Sequence, residues 1–299
     1  MLACPAAKVK RSGYRSAMDD PNYRRDQLNG GITRIVPARQ DRPNLPASDC
    51  PFCPGGQEAS DPYEVLAFPN RWPPLPAGHA EVVLYTSDHD ASFAQLSEQQ
   101  ARLVVDLWAE RTTALSADPS IAYVLIFENR GAEVGATISH PHGQIYAFEI
   151  VPPAVIAEQE NVQQNWSDCP EAQIAIASTH WKAWVPTAAM WPYELIVVPQ
   201  DDVFDLPSLN NAQRDDLANV LREITRRYDA LFAAAMPYMM WIHQKPTQVD
   251  IYNIPVHLHF APIWRAPQTA RFVAAGELGS GIWFNPIDPA AAAAKLREL

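Results

Sequence analysis

GAEVGATISHPHGQIYAF, residues 131–148, is the stretch on which the reading of this chain turns. It passes from a glycine-containing loop into an apolar run, 138–150, whose alternation predicts a β-strand. At its entry stand His140, Pro141, His142, Gly143 and Gln144. Residues two apart in a strand share a face, so His140, His142 and Gln144 are expected to point the same way. Pro141 has no N–H to give a ladder, so the strand lies at an edge or leaves its pairing there. Gly143 permits close approach of backbone to a ligand. Gln144 can donate an amide N–H to an anionic oxygen.

Outward from this point the chain is read as two similar units. Strands are predicted over 80–85 (AEVVLY) and 123–131, with a helix over 97–115 opened by the N-cap Ser97. The order then repeats, with strands over 193–199, 237–246 and 256–264 and a helix over 210–232. Leu96 precedes His140 by nearly the interval at which Leu209 precedes His257, and His257-Leu-His259 stands where the first unit has His140-Pro-His142. Two such units indicate an internal duplication. Coincidence between two unrelated α+β units is the alternative, and the paired His-x-His weighs against it. Residues 1–30 read as a loose polar tail, and 31–76 as short strands joined by proline turns. A last helix is capped by Asp288, with Pro289 at its first position.

The chain has 299 residues, 47% of them hydrophobic and 19% charged, as in an ordinary globular protein. A net charge of −11 argues against general nucleic-acid binding, although a few arginines in a cleft can still hold an anionic small molecule. No run of 18 apolar residues is present and the first residues lack an apolar signal region, so a cytoplasmic protein without a membrane span is expected. The four cysteines are then expected to be reduced. Cys50-Pro-Phe-Cys53 reads as a redox pair or as two metal ligands. Pro54-Gly55-Gly56 follows, which disfavours the helix that a redox pair opens and favours a metal knuckle.

An isolated His-x-His is more often a pair of ordinary surface or core histidines than a site. Here the surrounding string resembles the active-site motif of the galactose-1-phosphate uridylyltransferase family, within the histidine-triad superfamily of nucleotidyl transferases and hydrolases. FPNRWP, FENRG, MWPYELIVVP, MWIHQKP and HLHFAPIWR resemble that family's segments in the family's order, over roughly 30–299. The resemblance implies an α+β fold: two fused histidine-triad-like units, 31–155 and 156–299, around an antiparallel sheet with flanking helices. It implies UMP exchange between UDP-glucose and galactose 1-phosphate, giving UDP-galactose and glucose 1-phosphate through a uridylyl-histidine. His142 would be the nucleophile, its other ring nitrogen donating to a backbone carbonyl, and Gln144 would donate to a phosphoryl oxygen. Histidine-triad hydrolases carry a histidine at that glutamine's place, so Gln144 favours transfer over hydrolysis.

By the same resemblance Phe68, Asn70, Asn129 and Thr137 hold nucleotide and phosphate. Arg39 and Arg42 reach phosphate from the partner subunit of a homodimer, and Arg271, Phe272 and Glu277 hold the hexose phosphate. Without the resemblance, the two loop arginines read equally well as solvated charges. Thr137 replaces the usual serine, Arg271 a lysine, and Gly276 a tyrosine of some members, which bears on the hexose more than on the nucleotide. The resemblance completes a zinc set of Cys50, Cys53, His89 and His140, and a second set of Glu158, His243, His257 and His259 that takes iron in some members and suits iron or zinc. Cys4, Cys169, His79 and His180 receive no role. The competing functions are a related transferase resembling ADP-glucose phosphorylase and a non-catalytic metal- or nucleotide-binding protein.

Overall fold

The computed structural model describes residues 20–41, 50–163, 165–249 and 252–299. A short hairpin, β1 (Tyr23–Arg25) with β2 (Ile32–Arg34), precedes the main body. The first unit supplies β3 (Leu66–Pro69), β4 (Ala80–Leu84), α1 (Glu98–Ser116), β5 (Tyr123–Arg130) and β6 (His142–Phe148). Helix α2 (Pro153–Asn161) leads onward. The second unit supplies β7 (Ile174–Ala177), β8 (Trp181–Trp184), β9 (Leu195–Pro199), α3 (Asn211–Leu231), β10 (Tyr238–His243) and β11 (His257–Pro262). The two-stranded β12 (Trp264–Ala266) and β13 (Thr269–Ala270), then α4 (Ala275–Ser280) and α5 (Pro289–Arg297), close the chain.

Nine strands form one antiparallel sheet in the order β3-β4-β6-β5-β10-β11-β9-β8-β7. Its centre is the pairing of β5 with β10, where Phe127 faces Trp241. Outward from that seam the first unit runs β5, β6, β4, β3, and the second repeats the sequence as β10, β11, β9, β8, with β7 added at the edge. The expected pair of units is therefore present as a pseudo-twofold arrangement. Strands β7 and β8 were not foreseen, because runs of four residues carry too little periodicity to read, and neither was the nine-residue α2.

Alternation along the strands gives the sheet two unlike faces. One face carries Ile145, Ile126, Ile242, Leu258, Val197 and Ala183 in a continuous row, all fully buried. Helices α1 and α3 pack there, α1 burying Ala101, Val104, Val105, Trp108 and Ala109, and α3 burying Leu217, Leu221, Ile224 and Tyr228. Each such aliphatic or aromatic side chain contributes about 1.5–3 kcal/mol by leaving water. Ser97 caps α1 by accepting from Gln100 N at 3.1 Å, and Asn210 with Gln213 forms a capping box on α3. The opposite face carries a second row, Phe68, Val82, Gln144, Phe127, Trp241, His259, Ile196 and Trp184. That row holds the chemistry, and α2 covers part of its second half through Val155, packed with Tyr123 and Tyr252.

Candidate active site

The ladder of β6 starts at His142, not at 138 as its apolar pattern predicts. Pro141 has no N–H, but its carbonyl still accepts from Tyr85 N at 3.2 Å. Far from lying at an edge, β6 is paired on both sides, with Leu84 opposite His142 in β4 and Phe127 opposite Gln144 in β5. His142 Nδ1 lies 2.7 Å from the carbonyl oxygen of His140. A carbonyl only accepts, so Nδ1 carries a proton, and in the neutral ring Nε2 is the nitrogen without one. The Phe52 ring meets the imidazole edge-on at 5.1 Å. Gln144 is oriented in turn: Asn70 Nδ2 donates to its Oε1 at 3.2 Å, and Asn70 Oδ1 accepts from Trp72 N at 2.8 Å. This leaves the Gln144 amide N–H groups to donate beside His142.

Gly143 serves a different end from the one expected. It lies on the buried face, where a Cβ would fall 2.2 Å from the Tyr85 hydroxyl. The missing side chain makes room for a core tyrosine, not for a ligand.

His142 lies in the wall of an open cleft of about 1080 Å³. Asn129 and Thr137 line the same cleft, with Glu128 and Arg130 from the end of β5 and Asp229 from α3. Phe68 and Asn70 approach from β3 and its end, Phe68 edge-on to Phe52 at 5.9 Å. Arg39 sits in a 3-10 turn, Pro37–Arg39, and does not line the cleft. Arg42 lies outside the described residues, as does Cys4.

Cys50, Cys53, His89 and His140 converge with ligand atoms within 4.8 Å of one another. Cys53 Sγ lies 3.5 Å from His89 Nδ1, and His140 Nδ1 lies 3.8 Å from both sulfurs. A tetrahedral ion about 2.0–2.3 Å from each ligand requires edges of about 3.3–3.8 Å, so the group fits one. His140 Nε2 lies 2.7 Å from the Thr86 carbonyl oxygen, which assigns that nitrogen the proton and turns the Nδ1 lone pair to the sulfurs. Tyr63 Oη lies 2.9 Å from the same Nε2 and donates to the Phe52 carbonyl at 2.6 Å.

Glu158, His243, His257 and His259 form a second group of this kind. His243 Nδ1 lies 2.9 Å from both Glu158 oxygens. His257 Nε2 and His259 Nε2 lie 3.5 and 3.7 Å from the carboxylate. His257 Nδ1 donates to the Pro255 carbonyl at 2.9 Å, the contact that His142 makes in the first unit. Although burial opposes it, hydrogen bonds from His243 and His257 hold the Glu158 carboxyl well below the usual carboxylate range. Burial, reinforced by His257 and His243, pushes the His259 pKa well below the usual imidazole range. Among the described residues His259 Nε2 is buried with no hydrogen-bond partner, as suits a ligand atom for an ion. Trp241 stacks on the His259 ring at 4.7 Å.

Arg271, Phe272 and Glu277 are not brought to the His142 cleft of the same chain. Glu277 is buried and already engaged: it pairs with Arg271 and accepts from Ala274 N and Phe284 N, both at 2.9 Å. Within one chain its carboxylate therefore does not reach out to a hydroxyl. The Arg271 guanidinium lies between Trp191 at 4.7 Å and Trp283 at 5.4 Å. Phe272 is 83% exposed.

A chain from Streptomyces lividans named galactose-1-phosphate uridylyltransferase is 37% identical over 97% of this chain and 90% of its own length. A solved structure described as a uridylyltransferase superposes with a TM-score of 0.84 at 26% identity, covering 92% of this chain and 97% of the other. An ADP-glucose phosphorylase from Arabidopsis thaliana shares the fold, with a TM-score of 0.73 at 22% identity over 93% and 98% of the two chains. Sequence models of the galactose-1-phosphate uridyl transferase N-terminal and C-terminal domains match residues 71–152 and 156–277. The chain belongs to the galactose-1-phosphate uridylyltransferase family.

In this member of the family three side chains around the histidines went unnoticed in the sequence. Phe52, inside the Cys-Pro-Phe-Cys loop, touches the rings of both His140 and His142. Tyr63 flanks the group of Cys50, Cys53, His89 and His140, and Tyr85 the strand that carries His142. A lone aromatic in a proline-rich loop carries no local signal. Phe52 could have been found only by asking what the cysteine knuckle, once bound, would press against the His-Pro-His segment.

Proposed function

We propose that the chain exchanges UMP between UDP-glucose and galactose 1-phosphate, with His142 as nucleophile. The hydrogen bond from His142 Nδ1 to the His140 carbonyl carries this reading, because it supports the tautomer a nucleophilic imidazole needs. Nε2 attacks the α-phosphorus of UDP-glucose, and a P–N bond forms as the bond to the bridging oxygen breaks. Glucose 1-phosphate leaves with that electron pair. A phosphate oxygen of galactose 1-phosphate then attacks the uridylyl-histidine, the P–N bond breaks, and Nε2 regains its lone pair. Gln144, held by Asn70, donates to a nonbridging oxygen whose charge grows in the transition state. Asn129 and Thr137 hold the phosphates from the cleft wall, and Phe68 packs near the base.

Two sulfurs and two imidazoles at tetrahedral spacing suit zinc on Cys50, Cys53, His89 and His140. Bound there, it would brace the loop that delivers the His140 carbonyl to His142. Glu158, His243, His257 and His259 offer three imidazoles and a carboxylate, a set for iron or zinc that ties α2 to β10 and β11.

We read 31–155 and 156–299 as the two units, and the assembly as a cytoplasmic homodimer. Among the described residues no helix is long and apolar enough to cross a membrane. Phe272, Leu278, Ile282 and Phe284 are each more than half exposed, an apolar patch that a second copy would cover. Arg39 and the group around Arg271, which do not line the cleft of their own chain, would then serve the cleft of the other, with Arg42 three residues after Arg39 in the sequence.

The test is intact mass after incubation of the purified protein with UDP-glucose, ADP-glucose and other nucleotide sugars, without acceptor. UDP-glucose is expected to leave a uridylyl group, which galactose 1-phosphate then removes. Labelling by ADP-glucose alone would replace this reading with a phosphorylase of the ADP-glucose type.

A further inference from the structure

We propose that Tyr85 is a positioning residue for the nucleophile, setting the height of the strand that carries His142. The inference rests on His142 being the nucleophile. Tyr85 follows β4, fully buried, and it engages both chain neighbours of His142. On one side its backbone N–H donates to the Pro141 carbonyl at 3.2 Å. On the other its hydroxyl abuts Gly143 so closely that a Cβ there would meet Oη at 2.2 Å and Cζ at 3.0 Å.

Tyr85 is itself held from three directions. Its carbonyl accepts from Gln100 Nε2 of α1 at 2.7 Å. Its ring lies edge-on to Phe93 at 5.6 Å and to Trp108 at 5.8 Å. The hydroxyl closes no hydrogen bond of normal geometry among the described residues, and its pull on the buried Glu128 carboxyl is the smallest of those acting on that group. It acts as a spacer between the helix layer and the backbone of residue 143. The His142 ring is fixed to the His140 carbonyl, so any shift of the backbone at 141–143 moves Nε2 with it. In-line attack tolerates little error, and a misplacement of about 1 Å costs about 100-fold in rate.

The experiment measures single-turnover labelling by UDP-glucose in the wild type and in Y85F, G143A and Y85F/G143A. Maximal rate, half-saturating concentration, melting temperature and bound metal are read together. Y85F removes an oxygen that closes no hydrogen bond of normal geometry and is the least of the influences on Glu128, so its melting temperature and metal content should stay near those of the wild type. Its maximal rate should fall about 10-fold with the half-saturating concentration within about twofold. G143A drives a methyl group into the hydroxyl and should label about 100-fold more slowly. Removing the hydroxyl from G143A should restore at least about a tenth of the lost rate, because the closest contact is gone.

Wild-type labelling rates in Y85F, or a double variant no faster than G143A, would overturn the proposal. A G143A protein that does not fold leaves Y85F to decide alone. A wild type that UDP-glucose does not label defeats the transfer reading, and this inference with it. A labelled wild type with unaffected variants defeats only the role of Tyr85.

Discussion

His140 and His142 are two residues apart and joined by one carbonyl, yet their ring nitrogens are set to different tasks. Nδ1 of His140 faces two cysteine sulfurs, while Nδ1 of His142 donates to the His140 carbonyl. H142A should therefore lose labelling by UDP-glucose while keeping its metal and its melting temperature. H140A should lose metal at the cysteine group and melt earlier, because one ligand of four is gone. Metal analysis, thermal melts and intact mass on both variants check the assignment. Loss of metal from H142A with labelling retained would reverse the roles. Glu128 gives a second prediction at this scale. Burial lifts its carboxyl to about 7, against hydrogen bonds from Tyr238 and Tyr85 and the charge of Arg130. Its folded pKa lies above the ordinary 4.5, so folding takes up a proton between those values. The stability it leaves intact below pH 4.5 is lost as pH rises through 7. Relative to E128Q, the wild type should lose on the order of 3 kcal/mol over that window. Denaturant unfolding of both proteins at pH 5, 6, 7 and 8 measures the difference, and a gap that does not vary with pH would refute it.

At the scale of elements, the two units are joined by helices as well as by the β5–β10 seam. Arg102 of α1 pairs with Asp106 on its own helix and with Asp215 of α3, and donates to the Asn211 side chain at 2.9 Å. Arg214 of α3 returns to Asp106 at 2.9 Å. The Arg102 side chain is only 20% exposed, whereas Asp215 is 61% exposed. R102A strands several acceptors at once and should cost about 1–3 kcal/mol, while D215A, an exposed partner, should cost about 1 kcal/mol or less. Urea unfolding of the two variants checks the order, and equal losses would place the energy of the contact elsewhere.

At the scale of the molecule, each unit holds a group that could bind a metal, with His140 alone of its pair in the first and both His257 and His259 in the second, and the two groups differ in what lies beside them. In the first, a cleft opens next to the imidazole; in the second, Glu158 of α2 fills that place. The exposed Phe272, Leu278, Ile282 and Phe284 lie close in sequence to the buried Arg271–Glu277 pair on the second unit. I282E should shift the protein from dimer to monomer in sedimentation and abolish turnover with galactose 1-phosphate, while its melting temperature changes little. A wild type that sediments as a monomer would remove the shared-cleft reading.

Much of this was written in local sequence. The His-Pro-His-Gly-Gln string, the Cys-x-x-Cys knuckle and the repeated strand-helix-strand order are short-range patterns, and a family resemblance joined His89, Glu158 and the later histidines to them. Alternation along a strand is a property of neighbours, so the two faces of β6 and β11 could be read before the fold was known. Where β6 begins was decided by pairing: the ladder on β4 can use the Pro141 carbonyl, but Pro141 has no N–H to continue it. The purpose of Gly143 was likewise hidden, because the hydroxyl that fills its missing side chain belongs to Tyr85 on another strand. Glu277 looked available to a sugar until the fold brought Phe284 N and Arg271 to it. Sequence by itself determined which chemistry the chain carries, since residue types and short spacings state that directly. Only the tertiary structure decided which atoms of those residues remain available, because each is taken up by a partner distant in the chain or on another element.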